Sequence, residues 1–144
     1  MSEQDVQLVR GVFEAINRRD VQAMLDAYHR DADMSTLTSE LVHGKSYRGH
    51  TGIREYFSSF ADVWEELHLE PEEIRDLGDR ILVVGRWSSR GRESGAEVEA
   101  PAAWIFVVRD GKVVFSRAYR DADEALSDPG PPPGPARTAA QRRG

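Results

Sequence analysis

The second half of the chain contains apolar runs too continuous for a sheet with one wet face. Ile81-Leu82-Val83-Val84 and Trp104-Ile105-Phe106-Val107-Val108 are uninterrupted, and in an extended backbone successive side chains point to opposite faces. An antiparallel sheet covered on one side reads as alternation, so these strands need cover on both. Asp110-Gly111 is a two-residue hairpin signal joining a strand over Val98 to Arg109 to one over Lys112 to Arg120. Gly91 to Gly95 is a glycine-rich loop, and the strand before it runs from Arg80 to Arg90. Leu67 to Leu77 adds a fourth strand; its Pro71 predicts an edge position or a bulge.

The first half supplies the cover. Val6, Val9, Phe13 and Ile16 recur at helical spacing, widened by Leu8 and Val12, which predicts a helix from Asp5 to Arg18. Asp20 is placed to cap a second helix carrying Val21, Met24, Leu25 and Tyr28 on one side. Ala32 to Leu37 is a short strand candidate, Thr38 to Ser46 a polar loop, and Thr51 to Trp64 a third helix with Ile53, Tyr56, Phe57, Phe60 and Trp64 on its apolar face. The fold class is therefore α+β: a curved, mostly antiparallel mixed sheet wrapped around three N-terminal helices, cone-shaped and enclosing a pocket. With helices on one face, the other is expected to meet a second subunit, giving a homodimer.

At 144 residues this is one domain, large enough to bury roughly two-thirds of its unfolded surface. Residues 1–127 form it; residues 128–144 are proline- and glycine-rich, then basic, and read as a disordered tail. Absence of cysteine excludes disulfides and thiolate chemistry. A net charge of −6 without a basic cluster argues against nucleic acid. No apolar run reaches the ~20 residues of a membrane span, and Met1 to Asp5 lacks the features of a secretory signal, so the expected location is cytoplasmic.

Ala15-Ile16-Asn17-Arg18-Arg19-Asp20-Val21, Tyr47-Arg48-Gly49-His50-Thr51-Gly52-Ile53-Arg54, Asp110-Gly111-Lys112-Val113-Val114 and Arg117-Ala118-Tyr119-Arg120-Asp121 resemble the SnoaL-like proteins of the nuclear-transport-factor-2-like, or ketosteroid-isomerase-like, superfamily. The resemblance covers residues 4 to 127. It implies an NTF2-like cone around a mostly apolar cavity, often in dimers. Ketosteroid isomerases would place a tyrosine at Val12 and a base near Thr36; limonene-epoxide hydrolases would place acids at Ser88 and Ala118 and keep the arginine at Arg86. The acids of those relatives, and of the SnoaL-type polyketide cyclases, are missing at these positions.

Arg86 is the first catalytic candidate, expected to share the cavity face with Leu82, Val84 and Ser88 and to anchor a substrate oxygen. Its bland alternative is an ion pair with Glu99. His43, in the loop over the mouth, is the proton-transfer candidate. Tyr28, Thr36, Tyr47, Phe57, Ser88, Glu99, Trp104 and Ala118 are the expected ligand-binding set, with Trp87 and Tyr119 on the far face of the sheet. His29 and His68 read as surface residues, and His50 as ordering a turn. No spacing resembles a metal site, and no cofactor is expected. The functional expectation is a cyclase, isomerase or lyase acting on a hydrophobic oxygenated metabolite such as a polyketide intermediate. The alternative is a non-catalytic binding or accessory protein for an apolar ligand.

Overall fold

The computed structural model describes residues 2–36, 47–91 and 93–128. The 38–46 loop with its His43, and the tail beyond 128, lie outside the described residues, as do the side chains of Phe60 and Trp64.

Helix α1 (Glu3–Arg18) opens on a capping box in which the Asp5 N–H donates to Ser2 Oγ and the Ser2 N–H to Asp5 Oδ2, both at 3.2 Å. Its buried stripe is Val9, Val12, Phe13, Ala15 and Ile16. Arg19 ends it in the left-handed region (φ 59°), and the next N–H, that of Asp20, returns to the Ala15 carbonyl at 2.8 Å. Asp20 then caps α2 (Val21–Ala27), its carboxylate accepting from the Ala23 N–H at 3.1 Å. Tyr28 does not continue the α2 stripe. It is the first residue of β1 (Tyr28–Ser35), which begins four residues before the expected Ala32, because the extended backbone at Tyr28 pairs with Val113.

A two-residue strand, β2 (Tyr47–Arg48), leads into α3 (Gly49–Val63). The long strands are β3 (Trp64–Asp76), β4 (Ile81–Gly91), β5 (Glu97–Arg109) and β6 (Lys112–Tyr119), followed by α4 (Ala122–Ser127). They form one six-stranded sheet in the order β2-β1-β6-β5-β4-β3. Only β1–β6 is parallel; the other pairs are antiparallel. Pro71 sits on the edge strand β3 beside a register shift between Pro71 and Glu73, so edge and bulge occur together. Asp110 (φ 53°) and Gly111 (φ 77°) form the β5–β6 turn with both backbones left-handed, as a tight hairpin requires.

The sheet separates two apolar clusters. Under the helices, Ile81, Val83, Trp104, Phe106, Val113 and Ala118 join the stripes of α1 and α2. On the other face, Leu82, Ala103, Ile105, Val107, Phe115 and Tyr119 pack with Ala125 of α4. The double-sided runs thus have an apolar cluster on each face of the sheet, the second of which includes Ala125 of α4. No helix among the described residues is long and apolar enough to cross a membrane.

Asp128 fastens α4 to that face. Its carboxylate accepts from Arg117 at 3.0 Å and from the Tyr119 hydroxyl, and Arg117 lies over the Phe115 ring at 5.3 Å. Burial, reinforced by Asp128, holds the Tyr119 phenol well above its ordinary range. Asp128→Ala strands the Arg117 and Tyr119 donors. It is expected to cost about 2 kcal/mol, read by urea denaturation, and to raise amide exchange in α4 first. A variant with unchanged exchange there would show that Asp128 holds nothing in place.

Candidate functional site

The site lies between α1 and the sheet. Asn17 holds the end of α1 to β3 by two backbone bonds: its Nδ2 donates to the Leu69 carbonyl at 2.8 Å and its Oδ1 accepts from the Leu69 N–H at 2.9 Å. Arg19 adds bonds to the carbonyls of Ile16 and Leu67, the latter at 2.7 Å; burial lowers its pKa. Between this clamp and the centre of the sheet lies a cavity of about 80 Å³. Val12, Phe13 and Ile16 of α1 close it above, and Trp87, Trp104 and Phe106 floor it. Tyr28, Met34, Ser35, Thr36, Tyr56, Leu67, Leu69 and residues 116–118 complete the wall.

Its polar lining is mostly hydroxyl, from Tyr28, Ser35, Thr36, Tyr56 and Ser116, together with Arg117. The Tyr28 hydroxyl and Ser116 Oγ are 2.8 Å apart, on residues 2 % and 4 % exposed. Burial pushes the Tyr28 phenol far up, against a smaller opposing effect of the Ser116 bond, so it stays protonated. Two hydroxyls sharing one hydrogen bond use one of their two hydrogens, which leaves one to donate to an acceptor in the cavity. Tyr56 lies beside Tyr47 and Phe57 with ring centroids 5.5 and 5.4 Å away; burial pushes its phenol up to about 12. Among the described residues, no carboxylate and no imidazole lines the cavity.

Ser116 reaches Tyr28 through a bulge. Val108 faces Val113, but Val107 faces Phe115, so Val114 is an extra residue on β6. Val113 therefore points under the helices, Phe115 points away, and Ser116 and Ala118 return to the cavity.

Of the sequence-predicted residues, Tyr28, Thr36, Trp104 and Ala118 line the cavity. Arg86 and Ser88 do not: β4 turns Ile81, Val83 and Trp87 to the helices and Leu82 and Val84 to the other face, so alternation carries Arg86 and Ser88 outward. Arg86 pairs with Glu99 at 3.4 Å on exposed surface, which is the structural alternative. The same parity brings Trp87 into the wall rather than onto the far face, whereas Tyr119 does lie there. Tyr47 and Phe57 pack around Tyr56 without lining the space, and Asp33 pairs with Arg48 at 3.2 Å. His50 donates from Nε2 to the Tyr28 carbonyl, 2.9 Å away, tying α3 to β1. Phe13, Tyr56, Trp87 and Ser116 were not anticipated as wall residues. Ser116, a lone hydroxyl directly after Val113-Val114-Phe115, carries the one readable signal among them.

The sequence profile of the SnoaL-like domain matches residues 9–116. Solved structures with the same architecture include an NTF2-like protein from Burkholderia pseudomallei, at TM-score 0.74 and 23 % identity, over 88 % of this chain and 96 % of that one. TerC, co-crystallised with polyporic acid, superposes with TM-score 0.73 and 21 % identity over 86 % and 95 % of the two chains. An NTF2-like protein from Burkholderia xenovorans gives 0.70 and 27 % over 83 % and 90 %. No curated protein matches the chain.

Proposed function

Because this chain belongs to the SnoaL-like domain family, matched over residues 9–116, we propose that it binds a small, largely apolar molecule by one oxygen acceptor. The acceptor meets the hydrogen that the Tyr28–Ser116 pair leaves over. The observation that carries the reading is that pair, 2.8 Å apart, in a cavity otherwise walled mostly by aliphatic and aromatic side chains, with Ser35, Thr36 and Arg117 also in its lining. A donor in an apolar surround discriminates strongly for an acceptor, since a hydrocarbon leaves the hydroxyl unpaired. The co-crystallisation of TerC with polyporic acid supports ligand binding by this architecture.

The catalytic form of the reading is a cyclase, isomerase or lyase on a polyketide-like carbonyl compound. A hydroxyl pair that hydrogen-bonds a carbonyl also stabilises negative charge growing on its oxygen, which favours it. Such chemistry needs a base as well. Arg86, expected to anchor the oxygen, lies outside the cavity, and no carboxylate or imidazole among the described residues lines it, so binding is the function that the described residues support best.

The test compares cyclohexanone with methylcyclohexane by NMR titration. In the double variant Tyr28→Phe with Ser116→Ala, the ketone is expected to lose roughly fivefold to tenfold in affinity, the worth of about one hydrogen bond, while the hydrocarbon is unaffected. Removing both partners together leaves no orphaned hydroxyl, so stability should change little. Equal affinities for the ketone in parent and double variant would end the reading.

A further inference from the structure

A second space adjoins the cavity. It is an open groove of about 770 Å³ between the end of α1 and the hairpin end of β3, β4 and β5. Leu67 lines both spaces, and its half-buried side chain is the partition between them. Across the β3–β4 ladder Leu67 faces Ser89, so its side chain lies over that residue, as directly opposed cross-strand side chains do. Ser89 is 5 % exposed, and its Oγ is buried without a hydrogen-bond partner. An unsatisfied buried hydroxyl is costly and calls for a reason.

We infer that the ligand is an uncharged amphipathic molecule longer than the cavity. Its ketone-like end sits at Tyr28 and Ser116, its body passes Leu67, and a hydroxylated end reaches Ser89 and the groove. The inference rests on the hydroxyl-pair reading above. It accounts for the size of the cavity, about 80 Å³, against the roughly 300–1,000 Å³ usual for pockets holding larger ligands. It also gives the Ser89 hydroxyl a partner. The polar end carries no charge because the ions of the groove already have partners: the Arg19 guanidinium donates to the carbonyls of Ile16 and Leu67, and the rest form ion pairs. Arg90 pairs with Glu66 at 2.7 Å and Glu97 at 3.6 Å, and Glu99 pairs with Arg86 at 3.4 Å. When Leu67 turns aside, one movement joins the two spaces and uncovers Ser89; the backbone stays in place, its carbonyl held by Arg19.

The experiment titrates two ketones, cyclohexanone and 4-(4-hydroxybutyl)cyclohexanone, against the full chain and two variants. The parent is expected to bind the long ketone at least about tenfold more tightly, roughly what two buried methylenes contribute. Leu67→Trp, which fills the passage, should reduce the long ketone to the level of the short one. Ser89→Ala, which removes a single oxygen and leaves packing intact, should weaken the long ketone about fivefold. Cyclohexanone should bind the parent and Ser89→Ala alike; Leu67 also borders the cavity, so Leu67→Trp is read by the ratio of the two ketones, which should fall to about one. The inference is overturned if the parent does not prefer the long ketone, or if that preference survives in both variants. If neither ketone binds the parent, the hydroxyl-pair reading fails and takes this inference with it.

Discussion

Gly85→Ala is expected to destabilise the domain by about 3 kcal/mol, at the upper end of the range for overpacking. A Cβ on Gly85 would lie 2.0 Å from the carbonyl oxygen of Glu70 and 3.0 Å from Cα of Pro71. Both are backbone atoms of β3, so no side chain can swing away to make room. The close approach arises where β3 bulges between Pro71 and Glu73 against β4. Relief requires the edge strand to move outward, loosening the Asn17 clamp on Leu69 and with it the cavity wall. Thermal unfolding should fall by roughly 10 °C for a domain of this size. The control is Gly11→Ala in α1, where an added Cβ meets nothing within 4 Å. There alanine's better helix propensity should stabilise by about 0.5–1 kcal/mol. Opposite signs for the same chemical change would separate the close approach from any general intolerance of glycine replacement; equal effects would refute the account.

The elements of this fold are legible in the sequence because each carries a local signal. Asp20 caps α2, Asp110-Gly111 turns β5 into β6, and Pro71 marks an edge with a bulge. The faces of the strands were harder to read. Ile81 to Val84 is apolar throughout, so nothing local says which half of β4 looks toward the helices, and a phase set by Arg86 differs from the observed one by one residue. Such a slip reverses every side chain at once, which is why Arg86 and Ser88 left the site as Trp87 joined it. A two-residue hairpin fixes register by its length, but the longer β4–β5 connection does not. Even after the tight β5–β6 turn, the Val114 bulge resets the phase. Without it Phe115 and Arg117 would share the face of Val113, and Ser116 would point away from Tyr28. The polar pair at the centre of the site thus depends on long-range pairing, invisible in any short window of sequence.

Phe13→Ala is expected to have the largest effect on both stability and ligand choice. Phe13 is 2 % exposed, edge-on to Trp104 at 4.9 Å and to Phe106 at 5.6 Å, and it closes the cavity from above. Truncation removes the burial of the ring and both aromatic contacts, and typically costs about 3–5 kcal/mol. The lost volume adds to an existing cavity rather than opening a separate one, so the helix can relax little: α1 is fixed at its far end by Asn17 and Arg19. A total stability of about 5–15 kcal/mol leaves the variant folded but fragile. It should therefore accept a bulkier ketone, such as adamantanone, that the parent excludes. Ligand at about a hundred times its Kd should restore roughly 2.7 kcal/mol, raising the melting temperature of the variant and leaving that of the parent unchanged. Phe13→Leu, with a smaller loss of volume, should lie between the two in stability and in preference, and serves if the alanine variant does not accumulate. Adding Tyr28→Phe and Ser116→Ala should abolish the ketone-dependent part of the rescue and spare the part due to apolar burial. Rescue by adamantanone that persists in full without the two hydroxyls would show that the enlarged cavity holds its ligand by shape alone, and the oxygen anchor would have to be abandoned.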